Sequence, residues 1–289
     1  MDIRVREEIG RFLRESPYNT HTGWEEPYFD EPLVGFASAS DPIFKRYKRI
    51  IGEFHLTPAE IFEKTFFAEL TKGTVICWIL PISRHVRESN RAEAQWPSLE
   101  WARTRTHGET CNDKLREHLV AFLATLGHKA VAPILSRGWK RFESTPVGIA
   151  SSWSERHAAY AAGLGTFSLN DGLITEKGIA HRCGSVITDL LLTPNPVPGQ
   201  SHTANCLFSR EGICGRCIGR CPAGAITKAG HHKDKCRQYV YERIPSEVGY
   251  RYDVEILGWC GLCQTNVPCE DRIPVAQDAS ARIDPEDAN

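Results

Sequence analysis

Eight of the eleven cysteines fall between Cys206 and Cys269, and no other feature of this 289-residue chain limits its possible folds so tightly. Cys214, Cys217, Cys221 and Pro222 spell C-x2-C-x3-C-P, the last part of the C-x2-C-x2-C-x3-C-P run that wraps a [4Fe–4S] cubane. Glu211 stands where that run would begin, and Cys206 is the nearest thiol that can replace it. Downstream, Cys260-Gly261-Leu262-Cys263 and Cys269 add three thiols, with Cys236 between the two groups. A cubane needs one soft thiolate per iron, so eight cysteines supply two clusters. The cysteine before proline in such runs ligates the other cluster. Spacing therefore assigns Cys206, Cys214, Cys217 and Cys269 to one cluster and Cys221, Cys236, Cys260 and Cys263 to the second. A pair of four-thiolate zinc sites is the alternative, because C-x2-C pairs also bind zinc. The C-P step and the interleaved third cysteine favour clusters. Cys77, inside an apolar run, and Cys111 and Cys183 read as core packing or ordinary thiols.

The rest of the chain is built to form a core. Hydrophobic residues make up 41% of it, and 35 basic against 36 acidic residues leave a net charge of −1, so no global field draws it to nucleic acid or an anionic membrane. Charges interrupt the first eight residues where a signal peptide would be apolar, and no run approaches the roughly 20 apolar residues that span a bilayer. These features predict a cytoplasmic protein without membrane association, where structural disulfides are disfavoured.

Local patterns predict mixed helix and strand. Val5, Ile9, Phe12 and Leu13 share a helical face that Pro17 ends, and Asp41-Pro42 and Thr57-Pro58 each place a capping side chain before a proline at the first helical position. Thr57 and Glu60 have capping-box spacing. Residues 74–82, 129–135, 172–175 and 182–192 read as strands, while 112–126, closed by Gly127, and 152–162 read as helices. The proline-rich stretch from Leu192 to Gly199 marks a boundary, dividing the chain into residues 1–197 and 198–289.

The sequence CGRCIGRCPAGAI from Cys214 to Ile226, then Cys236, then Ile256-Leu257-Gly258-Trp259-Cys260-Gly261-Leu262-Cys263-Gln264, resembles the epoxyqueuosine reductase family, whose relatives include the reductive dehalogenases. Glu155-Arg156, Gly163-Leu164-Gly165 and the run from Gly184 to Leu190 look like that family's cobalamin-binding core. The resemblance implies an α+β chain: a nitroreductase-like α/β domain holding cobalamin or another corrinoid, followed by a ferredoxin-like domain with two [4Fe–4S] clusters. It further implies single-electron transfer to cobalt from a donor such as ferredoxin or flavodoxin. Two departures stand out. The family's catalytic aspartate, shortly before the Gly-Leu-Gly turn, falls on Ile149, and Asp271 to Asn289 reads as a polar tail with no tRNA-binding helical extension.

With that aspartate replaced, Tyr160 and His157, three residues apart on one helix, become the candidate proton donors; their bland reading is core packing and capping. Arg182 can hold a carboxylate or amide by forked hydrogen bonds, or form a surface ion pair. Gly163, Leu164, Gly165, Gly184 and Ser185 offer backbone to a large planar cofactor, since glycine removes the Cβ. Thr166, Ser185 and Thr188 offer hydroxyls to it or to neighbouring backbone. Arg237, Arg243, Arg251, His231, His232 and Lys233 form a basic cluster suited to tRNA or an acidic electron donor, or simply a solvated face. Three functions follow: reductive cleavage of an unidentified small molecule, electron transfer to a partner without a substrate of its own, or epoxyqueuosine reduction on tRNA.

Overall fold

In the computed structural model, residues 1–20, 26–197, 201–255 and 260–277 are described. They form two compact units, one from Met1–Leu80, His107–Leu164 and Arg182–Val197, the other from Pro81–Thr106, Gly165–His181 and Pro198–Asn289. Residues 256–259 of the cysteine motif and 278–289 of the polar tail lie outside the described residues.

The first unit is organised on a four-stranded sheet in the order Leu33–Ser38, Thr74–Pro81, His181–Thr188, Ala130–Val131. Leu33–Ser38 runs antiparallel to Thr74–Pro81 with Phe36 opposite Ile76. All eight residues of Thr74–Pro81 are buried, as an unbroken apolar run requires of a strand covered on both faces. Helix Asp2–Glu15 buries Val5, Ile9 and Leu13 at four-residue spacing. Asp41 accepts the Ile43 N–H at 2.8 Å to start Pro42–Ile51, and Thr57 and Glu60 complete a capping box on Pro58–Phe66. Phe44, Tyr47, Phe62, Cys77 and Trp153 meet in one core cluster of this unit, so Cys77 is packing material.

Three expectations change. The helix expected over 112–126 begins at Leu99 and runs to Thr125, despite Thr104, Thr106 and Gly108, because buried packing of Trp101, Ala102 and Cys111 outweighs weak intrinsic propensity. The strand expected over 129–135 is only Ala130–Val131; Pro133, which has no N–H for a ladder, opens a 3-10 turn instead. The helix expected over 152–162 is Glu155–Ala161.

The second unit is made of short pieces: hairpins Thr166–Phe167/Leu173–Ile174 and Ile226–Thr227/Gly230–His231, and helices such as Arg84–Arg91, Arg216–Gly219 and Lys233–Gln238. The proline-rich stretch marks one crossing between units, at Val197. Residues 81–106 and 165–181, expected within a continuous domain 1–197, belong to the second unit. For 165–181 the reason is apolar: Leu169, Ile174 and Ile179 pack against Cys206, Phe208, Cys217, Val267 and Cys269. Among the described residues no helix is long and apolar enough to cross a membrane.

Candidate functional site

All eight C-terminal cysteines lie in the second unit. Cys269 has Cys217, Cys206 and Cys214 as neighbours, and Cys217 has Cys206 and Cys214 first among its own. Cys260 has Cys236 and Cys221, and Cys263 has Cys260, Cys236, Cys217 and Cys221. The thiols thus sort into two groups of four, the groups adjoining at Cys217 and Cys221. Burial, reinforced by these sulfurs, pushes Cys217 and Cys260 up to about 12 and Cys263 and Cys269 well above the ordinary thiol range. A bound metal would hold such thiols as anions. Backbone donors already face the sulfurs: the Ala225 N–H donates to Cys221 Sγ at 3.3 Å, and Leu262 supplies a backbone hydrogen bond to Cys260. Among the described residues, no three His, Cys, Asp or Glu side chains converge on a position for a single metal ion. By donor chemistry, four soft ligands per group with N–H donors on sulfur suit two cubanes.

The two segments contributed from earlier in the chain hold this arrangement, and the cysteine pattern does not reveal them. Thr166 Oγ1 accepts the Asn205 N–H at 2.8 Å, and Asn205 Nδ2 donates to Ile174 O at 2.8 Å, fixing the residue before Cys206. Asn170 Nδ2 donates to Cys263 O at 2.9 Å, Asp171 Oδ2 lies 3.1 Å from His231 Nδ1, and the Ile179 N–H donates to Cys269 O at 2.8 Å. From residues 81–106, Arg91 Nε contacts both oxygens of the buried Glu270 at 2.8 Å, and Asn90 Nδ2 donates to Thr265 Oγ1 at 3.0 Å. Trp101 fills the space beside Gly261, where a Cβ would lie 2.1 Å from its indole. A sequence signal existed for the hairpin: Asn170-Asp171-Gly172 is strong turn chemistry between apolar pairs.

The candidates of the first unit occupy a different environment. Arg116, fully buried, donates to Glu109 at 3.0 Å, Asp113 at 2.6 Å, Glu155 at 3.3 Å and the Cys183 carbonyl at 3.1 Å. Arg182 Nε and Nη2 both bond Glu109 Oε2, the former at 2.8 Å. Ser185 Oγ donates to Glu155 and accepts the Trp153 indole N–H at 3.0 Å. Burial holds the Glu155 carboxyl above the usual carboxylate range, against the pull of Arg116 and Ser185. Thr188 Oγ1 donates to Lys129 O at 2.9 Å. A Cβ at Gly163, Gly165 or Gly184 would meet Pro196 O, Ile174 O or the Trp78 ring, each within 2.5 Å. Leu164 packs beside Gly35.

His157 Nδ1 and Ser154 Oγ are 2.8 Å apart, and the His157 carbonyl accepts the Tyr47 hydroxyl at 2.9 Å. Tyr160 packs, partly exposed, on the same core cluster as Tyr47. Ile149 lies partly exposed just before the short strand Ala150–Ser151. Gly165 and Thr166 belong to the second unit. The hydroxyls of Thr166, Ser185 and Thr188 and two nitrogens of Arg182 are thus bonded to protein atoms. In the basic cluster, Arg237 pairs with Glu242 at 2.9 Å and Arg243 with Glu247 at 2.7 Å.

No protein-family model matches the chain, and no curated protein matches it. Solved structures do. An epoxyqueuosine reductase with an epoxyqueuosine-modified tRNA-Tyr stem loop matches over 99% of this chain and 70% of its own, at 16% identity and a TM-score of 0.53. A selenomethionine-labelled epoxyqueuosine reductase matches over 96% and 71%, at the same identity and score. A reductive dehalogenase, reported with a mechanism for B12-dependent dehalogenation, matches over 88% of this chain and 32% of its own at 14% identity and a TM-score of 0.50. The chain resembles both kinds of protein in fold, and spans about a third of that dehalogenase.

Proposed function

We propose that this protein is an iron–sulfur oxidoreductase. Cys206, Cys214, Cys217 and Cys269 would hold one [4Fe–4S] cluster, and Cys221, Cys236, Cys260 and Cys263 the other. The observation that carries the reading is the sorting of eight buried or half-buried thiols into two adjoining groups of four. When bound, such clusters supply one-electron transfer. The chain's own part is to hold the sulfurs at fixed spacing, donate N–H groups to them and shield them from water.

The likeness to epoxyqueuosine reductases and a B12-dependent dehalogenase supports a corrinoid as the group that receives the electrons, for reductive cleavage of a small organic substrate, with a ferredoxin or flavodoxin as donor. That likeness is one of fold, so no step is assigned to cobalt. Electron transfer to a partner is the second reading. Ile149 at the family's aspartate position and the protein-filled surroundings of Gly163, Gly184, Ser185 and Thr188 favour it.

Anaerobic reconstitution with iron, sulfide and cobalamin, followed by metal analysis and electron paramagnetic resonance, tests these readings. About eight iron per chain is expected, falling to about four in Cys236→Ala. Zinc in place of iron refutes the reading. One retained cobalt with a cob(II)alamin signal selects the reductase, and eight iron without cobalt selects the electron carrier. Specific binding of a tRNA anticodon stem loop at stated salt would select epoxyqueuosine reduction.

A further inference from the structure

We infer that Arg220 is a positioning residue whose guanidinium, locked between the loops that carry Cys221 and Cys260–Cys263, is a fixed positive charge that raises the reduction potential of the cluster on Cys221, Cys236, Cys260 and Cys263. The inference rests on the iron–sulfur reading above and adds to it which of the two clusters is tuned, and by what.

Arg220 immediately precedes Cys221 and closes the short helix Arg216–Gly219, its N–H donating to Arg216 O at 3.0 Å. Its side chain reaches two other stretches of the same unit. Nε donates to Leu262 O at 3.3 Å and to Thr265 O at 3.1 Å, Nη1 to Glu93 O at 2.7 Å and Nη2 to Asn90 O at 3.1 Å. Leu262 lies between Cys260 and Cys263, and its carbonyl carbon is bonded to the Cys263 nitrogen. The guanidinium is therefore borne by the residue next to one ligand and hydrogen-bonded to the peptide group that enters another.

These four acceptors are all backbone carbonyls, and their origin explains why a cation suits the place. Leu262 opens and Thr265 caps the 3-10 turn Leu262–Gln264, while Asn90 and Glu93 lie in and just beyond the last turn of helix Arg84–Arg91. Carbonyls at helix ends carry partial negative charge, which favours a cation beside them. Arginine keeps its proton and offers five N–H donors in a planar fork, enough to span both stretches at once. Asn90 Nδ2 also donates to Thr265 Oγ1 at 3.0 Å, so the two stretches that Arg220 bridges are tied to each other as well. The charge is held in place from both sides.

When a cluster accepts one electron from the donor, it becomes one unit more negative. A cation fixed nearby lowers the energy of that reduced state more than that of the oxidised one, and more strongly where water is scarce. No bond to Arg220 forms or breaks, and no proton moves. The reduced state is favoured and the potential rises.

The test compares wild type, Arg220→Gln, Arg220→Lys and Cys236→Ala after anaerobic reconstitution, with iron and sulfide counted and potentials measured by redox titration followed by electron paramagnetic resonance. Wild type and both Arg220 variants are expected to hold about eight iron per chain. Arg220→Gln, which keeps an N–H donor and loses the charge, is expected to lower one of the two potentials by about a tenfold change in the oxidised-to-reduced ratio, about 59 mV for a one-electron couple. The potential that moves should be the one missing from Cys236→Ala. Arg220→Lys, which keeps the charge and loses the fork, should recover most of the shift. Three results overturn the inference and leave the iron–sulfur reading standing: unmoved potentials in Arg220→Gln with iron intact, movement of the other potential instead, or Arg220→Lys falling as far as Arg220→Gln. Wild type that binds zinc or no iron overturns the reading itself, and the inference with it. If Arg220→Gln drops to about four iron, Arg220→Lys decides: eight iron with potentials near those of wild type supports the inference, and any other result overturns it.

Discussion

His55 gives a stability prediction whose size follows from its surroundings. It is 1% exposed, stacked on Trp153 at 5.9 Å and edge-on to Tyr47, and its Nε2 accepts the Ser154 N–H at 3.2 Å. Ser154 precedes the helix Glu155–Ala161, so this bond caps the helix that carries Glu155, His157 and Tyr160, and it exists only while Nε2 is unprotonated. Burial first, and then the Lys48 charge, push the His55 pKa from 6.5 to about 4. As pH falls, the unfolded chain therefore takes up this proton before the native one does. The stability contribution is complete above about 6.5 and is lost progressively down to about 4. At 1.36 kcal/mol per pH unit, the loss is capped at about 3.4 kcal/mol. From pH 7.5 to 5.5 the unfolded imidazole gains most of a proton and the native one almost none, which amounts to about 1.3 kcal/mol. The comparison is urea unfolding of wild type and His55→Gln at both pH values under anaerobic conditions, the glutamine keeping an acceptor for Ser154. Wild type should lose about 1.3 kcal/mol more than the variant over that interval. Equal losses in the two proteins would refute the argument that burial keeps His55 neutral.

Other substitutions probe the two units separately. Gly261→Ala places a Cβ against Trp101 at a residue with φ +62, and should cost about 2–4 kcal/mol and lower bound iron toward four per chain, read by thermal melting and iron analysis. Arg116→Met strands the buried Glu155 carboxylate and should cost about 3–5 kcal/mol in urea unfolding; Arg116→Met/Glu155→Gln should recover much of it, and a double variant no better than the single would be inconsistent with a charge effect. Cys77→Ala should leave iron content unchanged while lowering the melting temperature, because that fully buried side chain packs the sheet core of the first unit.

What could be read from the sequence is what depends on near neighbours along the chain. Asp41 and Thr57 announce their helices because a cap needs only the next three residues. The unbroken apolar run at 74–81 announces a buried strand. The helix start at Leu99 was hidden because Trp101 owes its burial to partners remote in sequence, including Gly261. The Arg116 network was hidden for a similar reason: Glu109 and Asp113 share its helix, but Glu155, Cys183 and Arg182 reach it only through the folded sheet. Thr166, Ser185 and Thr188 read from the sequence as hydroxyls for a cofactor or for neighbouring backbone, and nothing local says that Asn205, Glu155 and Lys129 are partners of theirs.

The composition of the cysteine-bearing segment explains why it recruits help from earlier in the chain. Between Cys206 and Cys269 the described backbone spends its length on turns, short helices and thiols, and a small apolar core must fix sulfurs that repel one another once ionised. Residues 165–181 supply Leu169, Ile174 and Ile179 to that core and hydrogen bonds to the Cys206, Cys263 and Cys269 segments. Residues 81–106 supply Trp101 beside Gly261 and the Arg91–Glu270 fork beside Cys269. The C-terminal segment alone lacks these contacts. A cut at the proline-rich stretch would separate the thiols from the groups that space them, even though composition marks it as the natural boundary. The cysteine-bearing unit is therefore assembled from three stretches of chain, and its cysteine geometry depends on residues that carry no cysteine.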